Sequence, residues 1–486
     1  MVETLPSNIR ILKVYGVVIP TFPREERLNM IRAYIPRIAA MLAAAAVALT
    51  AAPADCAAGG RVLSLEECID IAIANNPEIG IARENLGKSE SYVRSSYGSL
   101  LPNVQMDFYV GHRYFGPSSV LIDERGRPVQ QAGFDYEDYT FRVSSDIILW
   151  DGHGNYARLD QAKHSRNGAI EELQYTSDML TASVIRAYYN LVRYRMLMTV
   201  ADESVEQASR NLERTEALLE VGSATRADVL KARVRHSNTR LDLVRARNQV
   251  QLSREELLAL LNTDYTDFAV DTTLAIEKAE PDPASRIDFA LENRSDLRGL
   301  RYYLKSAEAG ITAARSGWLP TFGANFGYYW SDREMADNLN FFEEEYQWNI
   351  TAFMRINIFD RFQTGTEVRR AKADHRIAQY NLEKSRIEAI KEVKSLILLM
   401  KEARERILVA SETVEQAEED VRLAEERYRV GAGTMLDTIT AQVALTQAKA
   451  DVIDARCDYL IAEADLDRAT GKAASMRPER QESRQR

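Results

Sequence analysis

With 486 residues and a formal charge of −10, the chain is long enough for several domains but too acidic for a nucleic-acid protein, because phosphate binding needs clustered Lys and Arg. No uninterrupted run of about twenty apolar residues follows the N-terminal region, which excludes a conventional helical membrane protein. The three cysteines, Cys56, Cys68 and Cys457, are too few for a disulfide framework and wrongly spaced for a zinc site. So sparse a usage fits an oxidising compartment such as the periplasm.

Residues 1–29 read as an extension or a mis-assigned start and stay outside the fold argument. Residues 30–54 read as a signal peptide. Arg32 and Arg37 form its positive end, residues 38–49 its apolar segment, and Ala52-Pro53-Ala54 supplies the small residues at the cleavage positions. As a membrane anchor the segment would be short for a bilayer. Its loss removes more basic than acidic residues, so the mature chain is the more acidic form.

A first repeat, 55–262, opens with a helix expected from about Ser64 to Leu100. Ser64 and Glu67 form a capping box there, and Pro102 stops the helix. The pattern then changes to period two. Over about 103–112, Val104, Met106, Phe108 and Val110 alternate with Gln105, Asp107, Tyr109 and Gly111. Over about 138–150, Tyr139, Phe141, Val143 and Ile147 alternate with Thr140, Arg142, Ser144 and Asp146. The segment between them, from about Tyr114 to Asp138, has the composition of a polar loop. A proline-free helix is expected from about Tyr156 to Val221, then a turn at 221–225 and a second helix to about Asn262.

Residues 263–284, with Pro281 and Pro283, form an equatorial connector. A second repeat, 285–471, has the same order. A helix runs to about Trp318, strands cover about 321–330 and 346–358, and a long helix from about Glu367 meets a turn at 430–434, with a last helix to about Thr470. Residues 472–486 read as a disordered polar tail.

The order of landmarks repeats as well. Ala72-Ile-Ala-Asn-Asn-Pro-Glu-Ile79 matches Ala290-Leu-Glu-Asn-Arg-Ser-Asp-Leu297, and Leu101-Pro102 matches Leu319-Pro320. Trp150-Asp151 matches Phe359-Asp360, and Val221-Gly222 with Asp228 matches Val430-Gly431 with Asp437. Four landmarks in one order point to a tandem duplication.

Each strand segment has about the ten residues a tilted strand needs to cross a bilayer. The same alternation would fit a soluble sheet with one wet face. Four strands cannot close a barrel with a lumen, and an open edge is intolerable in lipid, so other protomers must complete it. Helices of about 65 residues would be about 100 Å long, the scale of a tunnel across a compartment rather than of a globular core.

The chemistry of enzymes is missing. His112, His153, His164, His236 and His375 are scattered, and neither a phosphate-binding loop nor a nucleophile elbow occurs. No cofactor and no metal are expected. Transport energy must come from an inner-membrane partner, and the chain itself reads as passive.

From Leu63 to Gly471 the chain resembles the TolC family of outer-membrane efflux proteins. The duplicated Asn-Pro-Glu-Ile and Ser-Asp-Leu segments, the Leu-Pro exits, Trp150-Asp151, Phe359-Asp360 and the two Val-Gly turns carry the likeness. It implies a mainly α fold with a transmembrane β-barrel: a homotrimer sharing twelve strands, four per protomer, continued by a long α-helical periplasmic barrel whose tip is an iris. It implies the outer membrane of a Gram-negative bacterium, contact with its lipid, and two protein partners. These are a periplasmic adaptor (membrane fusion protein) and an inner-membrane pump of the RND, ABC or MFS type.

By the same resemblance, Asp228 and Tyr428 match a gate link and Asp437 an acidic constriction, where three copies would raise the carboxylate pKa values. Gly433 and Thr440 depart from the closing network and imply a less tightly latched tip. Asp228 and Asp437 also read as first-turn acids favouring a helix N-terminus. Val221, Gly222, Ser223 and Thr225, with Val430, Gly431, Ala432, Gly433 and Thr434, match the turns on which an adaptor hairpin docks. Some relatives are lipidated on a Cys after the signal; here Asp55 before Cys56 departs from the small residue expected. A periplasmic adaptor would need lipoyl-like and barrel domains beside its hairpin, and a structural coiled coil would need sustained heptads without aromatic strand pairs. The architecture serves drug efflux, metal-ion export and protein secretion alike, so it assigns no substrate.

Overall fold

A computed structural model describes residues 10–14, 17–21, 61–122, 124, 126, 128–131, 133–263, 268–272, 274, 283–333 and 346–472. The signal segment 30–54, Cys56 and the tail from 473 lie outside the described residues, as do parts of the connector and of the loop after Arg333. The chain divides into two units, Met1–Arg61 and Val62–Arg486. In the first, β1 (Arg10–Val14) pairs antiparallel with β2 (Val17–Thr21). Sequence analysis assigned no element there, although Ile11, Val14, Val17, Val18 and Ile19 are the β-branched residues that favour one.

At the start of the second unit, β3 (Arg61–Leu63), whose first residue is the last of the first unit, leads into α1 (Leu65–Asn75). The capping box forms: Glu67 N–H donates to Ser64 Oγ at 3.2 Å and Ser64 N–H to Glu67 Oε2 at 3.1 Å. The single opening helix expected to Leu100 is instead two, because α2 (Pro77–Gly98) begins afresh. Proline at the first helical position drives Asn76 to extended backbone (φ −69°, ψ 129°), and Asn76 caps the new helix by accepting from Glu78 N–H at 2.9 Å. The second half breaks at Arg294, between α5 (Pro283–Asn293) and α6 (Ser295–Arg315).

The strands are β4 (Asn103–Phe115), β7 (Phe134–Trp150), β9 (Thr321–Asp332) and β10 (Tyr346–Arg355). They form one antiparallel sheet in the order β10-β9-β7-β4. Between β4 and β7, in what reads as a loop, β5 (Ser118–Ile122) pairs with β6 (Pro128–Gln131). The strand expected to residue 358 stops at Arg355, since the entry into the next helix needs two consecutive left-handed residues, Arg361 (φ 58°) and Phe362 (φ 65°). Gly152 (φ 68°) and His153 (φ 66°) do the same after β7.

The helical hairpins are α3 (Gly154–Glu220) with α4 (Arg226–Leu261), and α7 (Gln363–Arg429) with α8 (Met435–Thr470). Both first arms have 67 residues and both second arms 36. Asp151 accepts from Asn155 N–H at 2.9 Å and Asp360 from Thr364 N–H at 2.7 Å, so an aspartate fastens the start of each long helix. β8 (Phe268–Val270) lies beside β3.

The packing is thickest at mid-length. Cys68, Ala72 and Ile79 meet Leu180, Val184, Tyr188, Leu191 and Leu257 in one core; Ala290 meets Val393, Ile397, Met400, Tyr459 and Leu466 in the other. Towards the turns the buried side chains are fewer and mostly small or polar: Thr215, Val229 and Ala232 in the first hairpin, and Val421, Ala424, Met435 and Ala441 in the second. The ends of the hairpins are therefore the weakly packed part of each arm.

Candidate gate at the hairpin tips

Each tip is a left-handed glycine followed by a capping threonine. Gly222 (φ 77°) and Gly431 (φ 74°) reverse the chain in a conformation that only glycine adopts without strain. Ser223 and Ala224 N–H donate to Leu218 O at 2.8 and 3.1 Å; Ala432 and Gly433 N–H donate to Arg427 O at 2.9 and 3.1 Å. A Cβ on Gly433 would sit 3.0 Å from Arg427 Cβ and 3.3 Å from the Tyr428 nitrogen, so the tight second turn accounts for a small residue there. Val221 and Val430, 74% and 71% exposed, leave an apolar side chain in water at each tip.

The two acidic candidates occupy equivalent caps. Asp228 N–H donates to Thr225 Oγ1 at 3.2 Å, while the Asp228 carboxylate accepts from Thr225 Oγ1 at 2.6 Å and Thr225 N–H at 3.2 Å. Asp437 repeats this with Thr434, at 3.2, 2.8 and 2.9 Å. The Thr225 hydroxyl holds the Asp228 carboxyl below its ordinary value, helped by the Thr225 N–H and Lys231. For Asp437 the Thr434 N–H leads, followed by its hydroxyl and the Arg427 charge. Within one protomer both caps thus favour the ionised form.

Tyr428 comes to the first tip from the other hairpin. It is half-buried, and burial followed by the nearby Asp228 carboxylate pushes its hydroxyl up, against the opposing pull of Thr215 and Arg214. Among the described residues no hydrogen bond joins Tyr428 to Asp228, whose Oδ2 accepts from Thr225 while its Oδ1 lies 4.0 Å from Lys231 Nζ. The junction brings together α3, α4 and α7, while Asp437 stands apart on α8. Sequence reasoning missed Arg214 and Thr215. They lie on the arm before the turn, and no local pattern marks a threonine whose own hydroxyl donates to Asn211 O at 2.7 Å.

Among the described residues no group of three or more His, Cys, Asp or Glu side chains is placed to hold a metal. No described helix is long and apolar enough to cross a membrane, which says nothing of the strands. The sheet carries an exposed apolar face: Val104, Met106 and Val110 on β4 and Trp348, Ile350 and Met354 on β10 are 62–70% exposed.

The model of the outer membrane efflux protein family matches residues 68–263 and 287–472. The chain belongs to that family. Relatives of this efflux protein include the probable efflux pump outer membrane protein TtgC of Pseudomonas putida, 25% identical over 84% of this chain and 83% of that one. The outer membrane protein TolC of Vibrio cholerae is 22% identical over 84% of this chain and 90% of its own. The alkaline protease secretion protein AprF of Pseudomonas aeruginosa is 20% identical over 83% of each. Among solved structures, CusC superposes with a TM-score of 0.73 at 17% identity, covering 84% of this chain and 92% of that one. The Campylobacter jejuni CmeC outer membrane channel gives 0.73 at 17%, covering 84% and 85%. These likenesses establish the fold, and the family match makes the chain an outer-membrane efflux or secretion channel rather than an adaptor.

Proposed function

We propose that three copies of this chain close a twelve-stranded barrel in the outer membrane and continue it as a helical tunnel through the periplasm. The chain then acts as the passive exit duct of a tripartite efflux or secretion system. One observation carries the reading. The sheet has an exposed apolar face suited to lipid, yet its outer strands, β4 and β10, each have only one partner among the described residues. Unpaired backbone groups in hydrocarbon cost several kcal/mol each, so such a sheet is stable in a membrane only when copies join edge to edge. Equal arm lengths and matching aspartate caps support tandem duplication, with repeats at 55–262 and 285–471 around the connector 263–284.

In this reading the Gly222 and Gly431 turns face an adaptor's helical hairpin, and an inner-membrane pump supplies the energy. The names of the relatives cover toluene, antibiotic and pyoverdine efflux as well as protease secretion, so the family assigns a conduit and not a cargo. The junction of Tyr428, Asp228, Thr215 and Arg214 acts as the latch, and Asp437 narrows the axis.

Cross-linking tests the trimer. Met106→Cys on β4 combined with cysteine at Trp348, Ile350 or Ala352 on β10 should give disulfide-linked oligomers in membranes. Within one protomer these strands are separated by two others, about 14 Å at normal strand spacing, too far for a disulfide. Monomers alone for every pair would remove the proposal. The latch is tested by single-channel conductance: Tyr428→Phe and Asp228→Ala should each raise the resting value two-fold or more. No change in either would leave these side chains with helix capping alone.

A further inference from the structure

The face of the sheet opposite the apolar one is built in rows, and one row differs from its neighbours. Asp107 on β4 lies opposite Arg142 on β7, Arg142 opposite Tyr329 on β9, and Tyr329 opposite Gln347 on β10. The Arg142 guanidinium stands 5.9 Å from the Tyr329 ring centroid. Along β7 it is flanked on this face by Thr140 and Ser144, and along β9 Tyr329 is flanked by Gly327 and Ser331, so the pair projects beyond both strands. Arg113, further out, is paired with Asp138 at 2.8 Å, and Arg355, at the other end, lies over the Phe353 ring. Arg142 has no ion pair among the described residues, although Asp107 is its cross-strand neighbour. Amides hold the nearby acids instead: Gln105 Nε2 donates to Asp107 Oδ1 at 2.8 Å, and Asn325 Nδ2 to Asp146 Oδ1 at 2.6 Å.

We infer that Arg142 and Asp107 set the charge preference of the strand-built part of the channel, with Tyr329 holding the guanidinium in the path of passing ions. The inference rests on the barrel reading above, which turns this face towards the lumen and repeats the row three times. Twelve strands about 4.8 Å apart and tilted by about 40° enclose a backbone ring about 12 Å in radius. Side chains as long as Arg and Tyr reduce the free radius to less than the Debye length of about 8 Å at physiological salt, so ring charges act across the whole opening. Each protomer contributes two acids, Asp107 and Asp146, and two cations without an ion pair among the described residues, Arg142 within the sheet and Arg355 at the end of β10. The face is thus close to neutral, and Arg142 and Asp107 pull its preference in opposite directions.

The test is the K⁺/Cl⁻ permeability ratio of the purified full-length channel in planar bilayers, from reversal potentials in low-salt KCl gradients. It is run in the parent and in an Asp437→Asn background that removes the tip acid. Arg142→Gln should raise the ratio at least two-fold, Asp107→Asn should lower it by a similar factor, and Arg142→Lys should leave it near the parent value. The differences should collapse in 1 M KCl, where the Debye length is about 3 Å. Equal ratios for the parent, Arg142→Gln and Asp107→Asn in both backgrounds, or a shift of both in the same direction, would overturn the inference while leaving the channel intact. A chain that forms no conducting trimer fails the barrel reading first and this inference with it.

Discussion

Arg294 shows how one side chain can join four segments. Its side chain is 8% exposed; it donates to Glu392 at 2.6 Å, to Asp296 at 2.8 Å and to the Ala469 carbonyl at the end of α8 at 3.2 Å. Asn76, at the equivalent break in the first half, donates to the Leu260 carbonyl of α4 at 3.0 Å. The second junction is therefore the ionic version of the first. Burial pushes the Glu392 carboxyl up, but hydrogen bonds from Arg294 and Arg468 outweigh it and hold the group below its ordinary value. A depressed carboxylate stabilises the fold above its unfolded pKa and loses that contribution as pH falls through the folded one. Denaturation curves should accordingly show stability falling on acidification below about pH 4.5, with a shallower slope for Glu392→Gln. Arg294→Ala removes a buried guanidinium, leaves the partly exposed Glu392 to Arg468 alone and the Ala469 carbonyl without this donor, and should cost about 1–3 kcal/mol. Burial also pushes the Cys68 thiol up, to about 11, and Cys457 up as well. Neither should react with maleimide in the native protein, whereas both should after unfolding, as read on the labelled peptides.

Element ends follow short-range rules, which is why many were legible. Ser64 with Glu67 signalled a helix start that the structure forms. Val-Gly followed by a threonine and an aspartate marked both tips. Thr225→Ala should weaken the first turn of α4 by about 1 kcal/mol and speed amide exchange over 226–229, leaving the mid-helix core protected. Elements whose competing signals were close in strength were misread. Continuous helical periodicity across residues 64–100 hid the break at Asn76, although Pro77 stood in plain view. The β5–β6 ribbon was missed because Gly and Pro nearby read as loop, and hairpins carry the same residues at their turns.

For the molecule as a whole, the weight of packing at mid-length and the thin packing near the tips suit an arm anchored at its centre and free to shift at its end. Polar links between the hairpins follow this trend. Arg186–Asp465 at 2.9 Å, Arg193–Asp458 at 2.5 Å and Lys449–Glu203 at 3.1 Å fasten α3 to α8, with Ser204 and Thr446 in contact at 3.1 Å. Arg193→Ala removes a half-buried cation facing Asp454 and Asp458, and should lower the unfolding midpoint while leaving strand content by circular dichroism unchanged.

Local periodicity and turn chemistry, written in the sequence alone, determined the order of strands and long helices, the apolar and polar faces of each strand and the place of each reversal. These depend on neighbours within a few residues. Which strand pairs with which, the seating of Arg294 against α7 and α8, and the approach of Tyr428 to Asp228 and Thr215 were decided only by the tertiary structure. Apart from the hairpin pairings β4–β7 and β9–β10, these contacts join residues about a hundred or more positions apart, and nothing in a single chain's pattern encodes a distance of that kind.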